Sequence, residues 1–411
     1  MNPLELTLGI MTAVGGFVDI SELVFAAQAG SIFGYALIWV FAFSTIGMMV
    51  FGEMCGRVAA TAKQPVFNLM RHRLGLKLGL VTLFASLVST LITCAAEVGG
   101  MGLILHYLTG APYLLMAVAS AAVLMASMWV LPFKWIERTY GLSGLLMLVF
   151  AVALVAIHPP WGKLAAGFVP QVPSSLSTKQ LLQFSYFGVA ILSAVMFPYE
   201  AYFYSSGGIE EGWGPKDLLT NRVTTTVGFA LGSLLAISIL ANSAQLFGPA
   251  MVGPEVPGTS ALEAAIPLGK PGLLLALLGM LFAVAGAAVE TCMSNAYALA
   301  QFFGWEWGRH KKPWEAPRFT LAWMGFFILA VMIVLTGIEV MTLVDYAIVF
   351  SVVVLPLTYL PLMLLAGDKS YMGQYANKWL AKGLGWTYFA IVTAAAVAAV
   401  PLYLLTSGGQ A

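Results

Sequence analysis

The chain has 411 residues, 60% of them hydrophobic and 9% charged, with a mean hydropathy of +0.90 and a formal net charge of +1. Soluble domains carry about 25% charged residues, so a water-soluble fold is excluded, and a charge balance near zero offers no electrostatic footprint for nucleic acid. Cys55, Cys94 and Cys292 all lie in apolar stretches with no CxxC spacing, which argues against a disulfide framework or a zinc site.

A bilayer core of about 30 Å needs about 20 apolar residues per helix. Eleven segments meet that requirement, at approximately 7–29, 33–55, 79–108, 112–132, 140–158, 182–206, 221–246, 272–302, 319–337, 341–365 and 385–406. They are read as helices because open sheet edges cannot sit in lipid. The first apolar run starts after Glu5 and continues into polar sequence, which is not the pattern of a cleavable signal peptide. The longest connections, 159–181 and 247–271, are rich in Pro, Gly and Ser, so a single transmembrane domain over 1–411 is expected. With the N-terminus in the cytoplasm, 16 of the 19 Lys and Arg residues fall on inner connections, and only Lys163, Lys179 and Lys270 fall outside. This asymmetry predicts a multi-pass plasma (inner) membrane protein with a cytoplasmic N-terminus and an external C-terminus.

The acids within these segments carry the functional signal. Asp19 and Glu22 lie in the first, Glu97 in the third, Glu200 in the sixth and Glu290 in the eighth, with no Lys, Arg or His at their depth. Each ionised acid near a helix centre costs about 2.5–3.5 kcal/mol on insertion scales. Two outcomes are open: the acids are protonated, or a cation supplies the missing charge. Asp19 and Glu22, at i and i+3, share a helix face, and two carboxylates so close do not both ionise cheaply without a cation between them. For Glu97 or Glu290 alone, a neutral hydrogen-bonded structural role is an equal alternative. Glu53 and Asp345, near segment ends, read as interfacial.

Two of the segments look broken. The first contains Gly15-Gly16-Phe17-Val18-Asp19-Ile20-Ser21-Glu22, a poor continuous helix. The sixth contains Ala194-Val195-Met196-Phe197-Pro198-Tyr199-Glu200, where proline removes an amide donor and disfavours helix at the preceding residue. At an offset of 178 residues Glu22 falls on Glu200, Phe25 on Phe203 and Gly30 on Gly208. The two segments lie five helices apart, and an odd number of helices per repeat inverts the second copy. Paired interrupted helices in two halves point to the central site of a transporter, where freed backbone carbonyls bind cations. The repeats are placed at about 7–158 and 182–365, with an extra helix at about 385–406.

These residues resemble those of the Nramp divalent-metal transporter family. Asp19-Ile20-Ser21-Glu22, followed by Ala27-Gln28-Ala29-Gly30, is similar to the family's first-helix Asp-Pro-Gly-Asn motif and its Gln-Ala-Gly stretch. Phe197-Pro198-Tyr199-Glu200 resembles Met-Pro-His-Asn, and Ala95-Ala96-Glu97-Val98 resembles the third-helix Asp-Ile-Ala-Glu-Val stretch. The resemblance implies an all-α LeuT-type fold, two inverted five-helix repeats with discontinuous helices 1 and 6, plus an eleventh helix. It also implies that Asp19 and the Ala194 carbonyl are metal ligands, with Glu22 in the place of the asparagine ligand. Phe197 stands where the family has its metal-binding methionine. A thioether favours soft transition metals, so its loss beside added carboxylates (Glu22 and Glu200) turns the site toward Mg²⁺, Ca²⁺ or Mn²⁺. The sequence looks closest to the Nramp-related magnesium transporters, which also lack the methionine.

The positions matching the family's third-helix aspartate and sixth-helix histidine, which line a proton route in coupled members, are Cys94 and Tyr199. The expected function is therefore divalent-cation import by alternating access, Mg²⁺ or Mn²⁺ being the cargo, not strictly coupled to protons. Glu97, Tyr199 and Glu290 are expected along the pathway or around the ligands. A proton-coupled Mn²⁺/Fe²⁺ transporter and an organic-solute symporter on the same fold are the alternatives. Neither HExxH nor G-x-S-x-G appears, so no enzyme is expected, nor a cofactor or obligatory protein partner; the partners are the lipid bilayer and the metal cargo.

Overall fold

The computed structural model describes residues 18–174, 176–250 and 257–409. The N-terminal part of the first segment, including Gly15-Gly16-Phe17, lies outside the described residues. All regular structure among the described residues is helical, and ten helices there are long and apolar enough to cross a membrane. The shorter apolar helix Ile20–Phe33 belongs to the first span. The remaining spans follow in the expected order: Ile38–Ala62, Val66–Thr109, Tyr113–Val130, Phe133–Ala156, Thr178–Glu210, Leu218–Leu246, Pro257–Phe303, Pro317–Leu335, Val340–Gly367 and Trp379–Thr406.

Where boundaries differ from the hydropathy reading, glycine and charge explain it. The third span crosses at Gly75–Thr109, close to the expected 79–108, and a separate helical stretch from Val66 that carries Arg71 and Arg73 precedes it. The two meet at Gly75, whose left-handed backbone (φ 78°) a side chain would strain. A helical stretch from Pro257 meets the eighth span at Gly269 (φ 68°), so much of the described part of the 247–271 connection is helical.

The sixth span is two helices, Thr178–Val195 and Pro198–Glu210. The second starts 178 residues after Ile20, where the first described helix starts, so the offset read from sequence is the offset between the two helix starts. Glu22 and Glu200 are each the third residue of their helix.

The basic connections gather at one end. Lys63 Nζ donates to the Trp213 carbonyl at 2.7 Å, Arg71 to the Phe302 carbonyl, and Arg73 pairs with Asp368 at 3.3 Å. Arg57 donates to Asn377 Oδ1 at 2.7 Å while pairing with Glu53 at 2.9 Å. Arg309 lies over the Phe133 ring, 5.2 Å from its centroid. The connections after the second, fourth, sixth, eighth and tenth spans therefore interlock on the same side. Asp345, also read as interfacial, accepts the Tyr186 hydroxyl at 2.9 Å.

Close helix crossings set the depth of the first span. A Cβ at Gly30 would lie 2.1 Å from the Leu240 carbonyl oxygen, so this helix rests directly on the seventh span. We expect Gly30→Val to cost about 1–3 kcal/mol through overpacking. Gly325→Ala, at a position with nothing within 4 Å, should cost nothing. Melting temperatures of the two variants in detergent that fall together would contradict the close crossing.

Candidate metal site

Asp19 ends the non-helical stretch before Ile20–Phe33. Its backbone is extended (φ −94°, ψ 178°), and its Oδ1 accepts the Glu22 amide at 2.8 Å. A short carboxylate in this position satisfies an otherwise orphan helix donor. Asp19 Oδ2 has no protein partner, and the residue is fully buried. Glu22, one turn on, is also fully buried, and neither of its carboxylate oxygens has a partner. The aligned amides of the helix N-terminus give both acids partial positive charge, but no full counter-charge. None of the ion pairs among the described residues involves Asp19, Glu22, Glu97, Glu200 or Glu290.

The sixth span breaks for a covalent reason. Residue 198 is proline, so there is no N–H to reach the Ala194 carbonyl four residues back. Met196 leaves the helical region (φ −118°, ψ 47°), Phe197 is extended (φ −61°, ψ 137°), and Pro198 restarts the helix at its favoured first position. The Tyr359 hydroxyl donates to the Met196 carbonyl at 3.0 Å, and the Ser294 hydroxyl donates to the Tyr199 carbonyl at 3.0 Å. The tenth and eighth spans thus hold the two sides of the break.

The third span holds the other break. Glu97 Oε1 accepts the Ile20 amide at 3.3 Å, while its Oε2 is buried without a partner. Gly100 permits this approach: a Cβ there would sit 2.1 Å from Ile20 Cδ1. Glu97 is therefore a positioning group for the first helix as well as a carboxylate of the cluster.

The acids act on one another electrostatically: Glu22 with Asp19 and Glu200, Glu200 with Glu290 and Asp19, Glu97 with Asp19 and Glu290. Asp19, Glu22 and Glu97 are sealed, whereas Glu200 and Glu290 are half-buried. Among the described residues, no three His, Cys, Asp or Glu side chains converge tightly enough to hold a metal by themselves. The arrangement offers Asp19 Oδ2 and the freed Ala194 carbonyl, with further carboxylates around them. It suits a small cation that keeps part of its water.

The only sulfur next to Phe197 in the chain, on Met196, is turned away: its Cε comes within 3.0 Å of a Cβ position at Gly47 on the second span. The Phe197 ring lies 5.3 Å from that of Tyr199, whose hydroxyl is buried and unpartnered. The largely buried Arg309 is committed elsewhere, to Glu210 at 3.3 Å and Glu211 at 2.6 Å. Glu211, outside the spans, is held down to about 2, chiefly by His310 and then by Arg309, against the opposing effect of burial. Three contacts were not legible in sequence: Tyr359 and Ser294 at the sixth-span break, and the amide of Ile20 on Glu97. The signals available were a phenol within the apolar tenth span and the polar run Glu290–Asn295.

A sequence profile described as natural resistance-associated macrophage protein-like (Nramp) matches residues 9–401. A divalent metal cation transporter MntH of Latilactobacillus sakei is 24% identical over 94% of this chain and 86% of its own length. A crystal structure of the Eremococcus coleocola manganese transporter superposes with a TM-score of 0.74 at 19% identity, covering 98% of this chain and 87% of that one. MhsT in complex with L-phenylalanine superposes with a TM-score of 0.65 at 15% identity, over 97% and 98% of the two chains. The fold is thus of the LeuT type, with a discontinuous sixth helix among the described residues.

Glu97→Gln keeps an acceptor for the Ile20 amide, whereas Glu97→Leu leaves that amide buried and unpaired. The Leu variant should be less stable than the Gln variant by about 1–3 kcal/mol, read as a lower melting temperature. Equal melting would make the contact dispensable.

Proposed function

The chain belongs to the Nramp family, and from that premise we propose that it imports a hard divalent cation, Mg²⁺ or Mn²⁺, by alternating access. The observation that carries this reading is the pair of sealed acids at a helix start, Asp19 and Glu22, with Asp19 Oδ2 and both Glu22 oxygens lacking any partner, together with the Ala194 carbonyl that Pro198 cannot bond. Oxygen donors alone, with the neighbouring methionine turned away and Phe197 at the selectivity position, favour ions that bind carboxylate, carbonyl and water. Asp19 and Ala194 act as direct ligands in this reading. Glu22 and Glu200 set charge and hydration. Glu97, Tyr199 and Glu290 line the route or support the ligands. The metal is cargo, and the relatives with which the chain shares its family are transporters, not enzymes.

The basic connections that meet at one end are assigned to the cytoplasm, with the C-terminus outside, in the plasma (inner) membrane. We read the chain as one transport domain, with repeats at about 7–158 and 182–365 and an added helix at about 385–406. A doubly charged ion moving to a negative interior gains about 4.6 kcal/mol per 100 mV, from about 2.3 per charge, so uptake needs no proton gradient. Cys94 and Tyr199 at the positions of the family's proton route support an uncoupled mode. The acids at both breaks oppose an anionic organic substrate.

In proteoliposomes, Asp19→Ala should abolish Mn²⁺ and Mg²⁺ uptake while the purified protein remains monodisperse. Uptake that persists moves the site elsewhere, and luminal acidification in fixed ratio to metal refutes the uncoupled mode. Phe197→Met should raise Fe²⁺ transport relative to Mg²⁺; an unchanged ratio would refute the selectivity argument.

A further inference from the structure

Two thiols meet beside the candidate site. Cys94 on the third span and Cys292 on the eighth are fully buried, and their sulfurs are 3.0 Å apart across 198 residues of sequence. Neither is in a disulfide. The helices that carry them are the ones that hold the two breaks. Cys94 lies one turn before Glu97, which accepts the Ile20 amide. Cys292 lies two residues after Glu290 and two before Ser294, which donates to the Tyr199 carbonyl. Small apolar side chains would fill this contact equally well. Paired sulfurs add a soft donor set next to a route whose other donors are all oxygen.

We propose that Cys94 and Cys292 form a two-sulfur trap for soft divalent cations, so that such an ion reaching this depth is held instead of passed on. Binding exchanges two S–H bonds for two S–metal bonds and releases two protons to water, with no change of oxidation state: M²⁺ + 2 RSH → M(SR)₂ + 2 H⁺. With metal–sulfur bonds of about 2.3 Å in tetrahedral geometry, the sulfurs need to part to about 3.8 Å. That is a side-chain adjustment, with water completing the shell. The trap complements Phe197: one position withholds sulfur from the cargo site, and the thiol pair captures ions that prefer sulfur.

The probe is Cd²⁺ on the full-length purified chain. Titration should give one thiolate-to-metal charge-transfer band per chain, kept in Cys55→Ser. Cys292→Ser should lose the band and bind at least about tenfold more weakly. Cys292→Ala reads the same quantity if the serine variant is not monodisperse. In proteoliposomes, Mn²⁺ uptake by the wild type should stay inhibited after Cd²⁺ is washed away and return with a dithiol chelator, whereas Cys292→Ser should recover on washing. No band in the wild type, an undiminished band in Cys292→Ser, or inhibition that washes out equally from both would overturn the proposal. The band does not require transport, so failure of the import reading is distinguishable from failure of the trap.

Discussion

An apolar interior tolerates a carboxylate only where something offsets its charge, and that constraint organises the centre of this protein. Asp19 and Glu22 occupy the start of one helix, and Glu200 occupies the first turn of another. In both places aligned backbone amides supply partial positive charge. The compensation is incomplete: Asp19 Oδ2, both oxygens of Glu22 and Glu97 Oε2 are left without protein partners. A helix terminus contributes about half an elementary charge, less than several ionised acids call for.

Such a cluster needs a frame that does not collapse onto it. The third, eighth and tenth spans provide one by gripping the broken helices through backbone atoms: Glu97 on the Ile20 amide, Ser294 on the Tyr199 carbonyl, Tyr359 on the Met196 carbonyl. Gly100 brings the third span close enough for the grip on Ile20, and Gly30 seats the same helix on the seventh span. The breaks are thus held from outside the helices that contain them, which leaves Asp19 Oδ2 without a partner and the Ala194 carbonyl without the amide that Pro198 lacks. At the basic end, Arg57, Arg73 and Arg309 use their charges on Glu53, Asp368, Glu210 and Glu211. Positive charge there ties connections together and forms no ion pair with Asp19, Glu22, Glu97, Glu200 or Glu290 among the described residues.

Much of this was legible in the chain. The segments from second to eleventh appear in order, the break at Pro198 follows from a missing N–H, and the offset of 178 residues is realised as the spacing of two helix starts. The hydropathy reading did not separate the helical stretches that start at Val66 and Pro257 from the spans that follow them, because charges and prolines lower the local average; Gly75 and Gly269 mark the junctions. The acids were visible one by one, but not their division into a sealed group (Asp19, Glu22, Glu97) and a half-buried pair (Glu200, Glu290).

The sequence by itself determined what is local: which stretches are apolar enough to enter lipid, where proline interrupts them, how deep the acids lie, and that residue 197 carries no sulfur. These follow from side-chain transfer energies and covalent chemistry within a few residues. The tertiary structure alone decided which polar atoms find partners and which are left for a ligand. Glu97 reaches an amide 77 positions away, Ser294 a carbonyl 95 away, Tyr359 one 163 away, and Cys94 a thiol 198 away. Such contacts depend on how helices cross and rotate against each other, which is set by packing between distant surfaces and leaves no periodic trace along the chain.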